Sequence, residues 1–331
     1  MQLLPYLQIL PNHNGDLGIA RGLIEAAADS GADLVKFQTF SADCLVTKGA
    51  PLAAYQATTG ESDHYEMIRR LELSRADHEH LVAVCDQQGI GFFSTAFDAE
   101  SATMLVELGQ KRFKVPSGEI DNLPLLSHIG SYGYEIIIST GMAEMEEIGQ
   151  AIMVLEEAGT DRSLITVLQC TTAYPADFAE ANLRAMLTMG REFKIRIGYS
   201  DHTPGIEASV AAVALGATII EKHLTLDRSL PGPDQNASLQ PEEFKNLVGS
   251  IRNVELALGD GQKSVTNGEA DNRPVARRSI VASRPIGVGE LFDESCLAVK
   301  RPGTGISPMR LPEVLGQRAR RNYRADEPID P

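Results

Sequence analysis

Apolar and polar positions along this chain fall into two alternating patterns. Short apolar runs, bounded by polar or turn residues, read as β-strands: Leu3–Leu10, Asp33–Phe40, Ile90–Phe97, Arg112–Pro116, Glu135–Ser139, Leu164–Cys170, Lys194–Tyr199 and Thr218–His223. Longer segments between them carry helical spacing. In Asp16–Ser30, for example, Leu17, Ala20, Leu23, Ile24 and Ala27 share one face. Arg75–Gln88, Glu144–Ala158 and Gly205–Leu215 follow the same rule. Repeated strand-then-helix units over about 225 residues predict a (β/α)8 barrel, a fold of ~250 residues. A doubly wound open sheet is the competing arrangement. It calls for a Gly-rich phosphate fingerprint after the first strand, and Asn12-His-Asn-Gly15 does not have that form.

Pro241–Leu258 reads as one further helix, which completes a barrel domain over 1–258. Residues 259–276 are rich in Gly, Asn, Asp and Lys, the composition of a linker. From 277 to 331 the pattern changes to short strands and turns, in Ser279-Ile-Val-Ala-Ser283, Gly287-Val-Gly-Glu290 and Leu297-Ala-Val-Lys-Arg-Pro-Gly303. A tail this short is expected to bury little by itself and to pack on a barrel, its own or a neighbour's.

Composition narrows the function. The 331-residue chain is 43% hydrophobic, ordinary for a protein with a sizeable core. Its formal net charge of −15 argues against nucleic acid or an anionic membrane as partner. Cys44, Cys85, Cys170 and Cys296 lack metal or redox spacing and read as reduced thiols of a cytoplasmic protein. The Leu3–Leu10 run is short and has no basic flank, so it does not read as a signal peptide. No apolar run approaches the ~20 residues of a membrane span.

In a barrel, chemistry collects at the carboxyl ends of the strands. Two consecutive strands end in histidine, at His202 and His223, with Asp201 and Glu221 next to them to orient or compete. Either histidine alone could be a satisfied polar residue; as neighbours at one barrel end they form a candidate site for a borderline metal. Lys36 and Lys114, with strand-end Ser and Thr hydroxyls, form a cradle for phosphate or carboxylate. Alternatively each lysine is half of a buried ion pair, or one is a Schiff-base nucleophile as in a class I aldolase. Glu119 follows Ser117-Gly118 in a turn, placed for acid–base work or for stabilising a helix N-terminus. The loop Gly232-Pro-Asp234 could offer Asp234 to a sugar hydroxyl, and Arg301-Pro-Gly303 exposes a guanidinium.

These segments together resemble the sialic acid synthase family, N-acetylneuraminate synthase and related nonulosonic acid synthases. The likeness runs through Asn12-His-Asn-Gly15, Val35-Lys-Phe-Gln-Thr39, Phe93-Ser-Thr95, Lys114-Val-Pro-Ser-Gly-Glu119, Ser139-Thr-Gly-Met142, Gln169-Cys-Thr-Thr172, Gly198-Tyr-Ser-Asp-His-Thr203, Glu221-Lys-His223, Gly232-Pro-Asp234 and Lys300-Arg-Pro-Gly303. The resemblance implies a (β/α)8 TIM barrel followed by a small antifreeze-like (SAF) domain. It implies a homodimer in which each small domain caps the partner's barrel. The activity implied is condensation of phosphoenolpyruvate with an N-acetylated hexosamine to a nonulosonic acid and phosphate.

By the same resemblance, His202 and His223 hold a divalent ion, typically Mn2+, with Mg2+ or Co2+ as alternatives. Lys36, Thr95, Lys114, Ser117, Ser139, Thr172 and Ser200 surround phosphoenolpyruvate. Gln38, Tyr174, Glu221 and Asp234 meet the sugar, Glu119 is the acid/base, and Arg301 reaches the N-acetyl end from the partner subunit. The family usually has Glu where this chain has Gln8, and His where it has Gln235. A Schiff-base lyase using Lys114 and a non-catalytic sugar-binding homologue are the competing functions.

Overall fold

The computed structural model describes residues 4–8, 12–51, 63–232 and 234–330. Of the first expected strand, Leu3, Ile9 and Leu10 lie outside the described residues. The chain forms two compact units, 1–259 and 260–331.

The first unit carries eight strands: β1 (Leu4–Gln8), β2 (Leu34–Thr39), β3 (Gly91–Ala96), β4 (Arg112–Val115), β5 (Glu135–Ser139), β6 (Ile165–Cys170), β7 (Arg196–Asp201) and β8 (Ile219–His223). All described pairings are parallel, in the order β3-β2-β1-β8-β7-β6-β5-β4. That is the chain order read around a circle, and β3 and β4 at its two ends lie against each other. The parallel arrangement follows from the long helical crossover after each strand.

Local signals set the helix ends. Ser74 and Asp77 form a reciprocal capping box at the start of Arg75–Gln88, and Gly89, at φ +69°, closes that helix. Pro241 occupies the first turn of Pro241–Leu258, where a missing N–H costs nothing. Helices and strands bury apolar faces against each other around the ring. Leu23 and Ile24 on Leu17–Asp29 pack with Val35 and Phe37 of β2 and with Ile251. Ile148, Ile152 and Leu155 of Met145–Ala158 pack with Ile136 and Ile138 of β5. Each such buried side chain contributes roughly 1.5–3 kcal/mol.

Strand β7 begins two residues later than the apolar pattern predicts. Lys194, in the left-handed region at φ +52°, ends the helix Arg184–Phe193, so the strand runs Arg196–Asp201 and delivers His202 immediately beyond its end. Inside the barrel, Phe93, Ile137, Leu168 and Ile219 form one apolar layer with Leu34 packed against it. Two residues further along the same strands stand Thr95, Ser139, Cys170, Glu221 and Lys36. Side chains alternate across a strand, so this second layer also faces inward and is polar. Two residues beyond Glu221 is His223; two beyond Ser200 is His202.

The second unit is better packed than its length suggests. Ile280, Phe292, Cys296, Val314, Tyr323 and Ile329 form a core of their own. Strands β9 (Ser279–Ala282) and β10 (Leu297–Lys300) pair antiparallel. Of the expected short strands and turns, Gly287–Glu290 is a turn. Gly289 takes φ +84°, and the Glu290 carboxylate accepts from the Gly287 N–H at 2.9 Å. The segment 259–276, expected as a linker, includes helical turns Asn267–Ala270 and Asn272–Ala276 and is exposed throughout. Among the described residues no helix is long and apolar enough to cross a membrane.

Candidate active site

A cavity of about 240 Å3 opens at the carboxyl ends of the barrel strands. The structure brings most of the sequence-derived residues to its wall. Lys36, Gln38, Thr95, Lys114, Ser117 and Ser139 line one part, and Thr172, Tyr174, Ser200, His202 and Glu221 another. Phe97, Pro116, Met142 and Cys170 also line it and were not singled out from sequence. The two-residue step from Leu168 was the signal that could have placed Cys170.

At its base, one carboxylate lies between two ammonium groups. Lys36 Nζ donates to Glu221 Oε2 at 2.6 Å, and Lys114 Nζ stands 3.5 Å from Glu221 Oε1. Ser200 Oγ donates to Oε1 at 2.7 Å, and Lys114 also donates to Ser139 Oγ. All three charges are buried. Burial alone would raise the Glu221 pKa, but Lys114, Lys36 and these hydrogen bonds hold it well below the carboxylate range. Burial pulls Lys36 down to about 7, with Glu221 opposing and Lys114 adding to the fall. The cluster is therefore a buried ion pair in which two lysines share one carboxylate. Thr95 Oγ1 is buried beside it with no partner. Glycine is required at 141, where a Cβ would lie 2.1 Å from Thr172 Oγ1, and the Gly141 N–H donates to Ser117 Oγ at 2.9 Å.

The two histidines stand above this layer with ring centroids 5.1 Å apart. Tyr174 packs on both, 4.3 Å from His202 and 5.8 Å from His223. His202 Nδ1 donates to the Thr171 carbonyl at 2.7 Å; burial opposes protonation of this ring, but Cys170, the Thr171 bond and Glu221 raise its pKa. Neither ring nitrogen of His223 has a hydrogen-bond partner, although both are buried. Burial, His202 and Lys36 push the His223 pKa well below the ordinary value, so the ring is neutral. Two buried imidazole nitrogens without a partner are a feature of His223 that the protein's own hydrogen bonds do not explain. Among the described residues no group of three or more His, Cys, Asp or Glu is arranged to hold a metal.

Asp234 is buried with Oδ2 3.7 Å from His223 Nδ1, and burial raises its pKa to about 7. The Asn12–Gly15 turn braces the loop that carries it. Asn12 Nδ2 donates to Leu224 O and to Ser238 Oγ, and Asn14 Nδ2 to Pro231 O. Gln235 is buried in the same brace, bonded to Thr225 Oγ1. Gln8 ends β1 in register with Lys36 and His223. Glu119 is half-buried on a 3-10 turn outside the cavity wall; burial raises its pKa, and Asn122 donates to it at 2.6 Å. Arg301 is an exposed residue of the second unit.

Asp201, expected beside the histidines to orient them or compete with them, does not face either ring: it points to the opposite side of β7, where it pairs with Lys222 at 3.0 Å, so it cannot compete at the site. Strand alternation requires this once Ser200 and His202 face inward.

The NeuB family model matches residues 23–263 and a SAF domain model matches 277–331. The chain belongs to the NeuB family. It is 51% identical over 321 residues to N,N'-diacetyllegionaminic acid synthase of Campylobacter jejuni, covering 96% of each chain. The namesake from Legionella pneumophila is 46% identical, covering 95% of this chain and 89% of the relative. The solved N-acetylneuraminic acid synthetase of Leptospira borgpetersenii superposes with a TM-score of 0.73 at 31% identity, covering 82% of this chain and 90% of that one. This NeuB-family chain is thus an enzyme of the nonulosonic acid synthases, built as a TIM barrel followed by a SAF domain.

Proposed function

We propose that the enzyme condenses phosphoenolpyruvate with an open-chain N-acetylated hexosamine to give a nonulosonic acid and inorganic phosphate, with a divalent ion, Mn2+ by preference, on His202 and His223. The observation that supports this reading is the Lys36–Glu221–Lys114 cluster and His202 in the wall of one cavity, with the His223 ring packed 5.1 Å from that of His202. A dianionic phosphate and a carboxylate suit the first, and a carbonyl oxygen suits the second. The bound ion would supply Lewis-acid polarisation of the sugar aldehyde.

The chain's own groups account for the rest. Lys36, Lys114, Thr95, Ser117 and Ser139 hold phosphate and carboxylate, and fix the face of the enol that meets the aldehyde. C3 of phosphoenolpyruvate forms a bond to the aldehyde carbon. Water adds at C2, and the C2–O bond to phosphate then breaks, so the bridging oxygen leaves with phosphate. Gln38, Tyr174 and Asp234 position the sugar, and Glu119, whose carboxyl burial raises, moves protons at the rim. Most of the rate comes from positioning and fixed charge.

The acceptor we favour is a diacetamido-trideoxyhexose, on the strength of the 51% and 46% identities to diacetyllegionaminic acid synthases. The SAF domain is proposed to act in trans within a homodimer, bringing Arg301 to the partner's sugar. Turnover against a panel of N-acetyl sugars tests the reading. The diacetamido sugar should exceed N-acetylmannosamine in kcat/KM by at least tenfold; the reverse order would assign the enzyme to sialic acid itself.

A further inference from the structure

Behind the histidines, on the outer side of the sheet, lies a second fully buried ion pair that the proposed chemistry does not use. Asp201 and Lys222 are register partners on β7 and β8, and each immediately precedes one of the histidines. Asp201 Oδ2 lies 3.0 Å from Lys222 Nζ and accepts from Ser209 Oγ at 2.6 Å. Asp201 Oδ1 accepts from the Thr203 N–H at 2.8 Å and from Thr203 Oγ1 at 2.7 Å. Lys222 Nζ also donates to the Thr203 carbonyl.

The bonds have a shared geometry. They fix residues 201 and 203, which bracket His202, and they tie both to residue 222, which adjoins His223. A buried ion pair is a poor source of stability; apolar residues of similar volume often stabilise a core more. What such a pair does supply is directionality. Here it sets the offset between two strand ends that carry the imidazoles.

We infer that Asp201 and Lys222 are positioning residues that set the spacing of His202 and His223 and thereby the affinity of the site for its divalent ion. This rests on the metal reading proposed above. Neither side chain touches the ion; each acts through the backbone of the adjacent histidine. Groups that orient metal-binding histidines by bonding their rings typically contribute 10–100-fold to affinity, and an effect through the adjacent backbone is expected at the lower end of that range.

The test is Mn2+ binding to the full chain without substrates, by titration calorimetry and by the electron paramagnetic resonance of free Mn2+. Three variants are compared with wild type: Asp201→Asn, the neutral pair Asp201→Asn/Lys222→Met, and Ser209→Ala. Asp201→Asn leaves a buried lysine without its carboxylate, so both Tm and Mn2+ affinity should fall. The neutral pair removes that unpaired charge, so Tm should recover while Mn2+ affinity stays at least tenfold weaker than wild type. Ser209→Ala removes one bond to Asp201 with little effect on folding, and should weaken Mn2+ binding severalfold at nearly unchanged Tm. If affinity returns to wild type together with Tm in the neutral pair, the pair is merely structural and the inference is overturned. If that variant does not fold, wild-type affinity in Ser209→Ala overturns it instead. A wild-type chain that binds no Mn2+, indistinguishable from His202→Ala, overturns the metal reading and this inference together.

Discussion

Lys36 and Glu221 form a buried ion pair, 2.6 Å between Nζ and Oε2, at the base of the cavity. Its acid is shared with Lys114, and burial lowers the Lys36 pKa to about 7. An arriving anion must therefore draw a proton onto Lys36. We expect KM for phosphoenolpyruvate to rise as pH climbs from 7 to 9, by up to tenfold per unit, with little change in KM for the sugar. Calorimetry in buffers of different ionisation enthalpy should show proton uptake on binding. A flat profile with no uptake would contradict the assignment. The folding sign is fixed too. An unfolded lysine keeps its proton to about 10.5, so between 7 and 10.5 this group makes stability rise with pH.

His202→Ala and His223→Ala should each abolish metal-dependent turnover and leave Tm within a few degrees of wild type. A catalytic metal contributes less to folding than a structural one, because part of its coordination belongs to water and substrate. Activity of either variant at the wild-type Mn2+ requirement, after stripping with a chelator, would remove that histidine from the ligand set.

Lys114→Met should raise KM for phosphoenolpyruvate far more than KM for the sugar. A lost charge-assisted contact is worth ~1.5–3 kcal/mol, roughly ten- to hundredfold. Borohydride treatment with pyruvate should leave Lys114 unmodified. A reduced pyruvate adduct at Lys114 would favour the lyase chemistry instead.

Arg301 and Glu119 test the action of the SAF domain in trans. Arg301→Ala and Glu119→Gln should each be inactive alone. After subunit exchange, a crossed dimer has one site with both lesions and one with neither, so part of the activity should return. No recovery in mixed dimers verified by mass spectrometry would place Arg301 in its own chain's site or on the surface.

The barrel and most of the cavity were legible in the sequence because both follow from period-two alternation. A polar residue two places past an apolar interior residue, as in Phe93 to Thr95 or Ile219 to Glu221, must also face inward. What the pattern could not show was pairing across strands. Nothing local says that Glu221 takes its hydrogen bond from Lys36, 185 positions away. The same limit hid the outward turn of Asp201 toward Lys222, and the brace from Asn12 to Ser238. The small unit's core was missed because it joins isolated residues, such as Ile280, Phe292 and Tyr323, through turns rather than through long periodic elements.

The proposed reaction forms a carbon–carbon bond and loses phosphate by C–O cleavage. It is tested most directly by following inorganic phosphate from phosphoenolpyruvate in 18O-labelled water, with Mn2+ and the diacetamido sugar present. One phosphate should be released per sugar consumed, with no release without sugar and no 18O in that phosphate. Phosphate release independent of sugar, or phosphate carrying solvent oxygen, would contradict it.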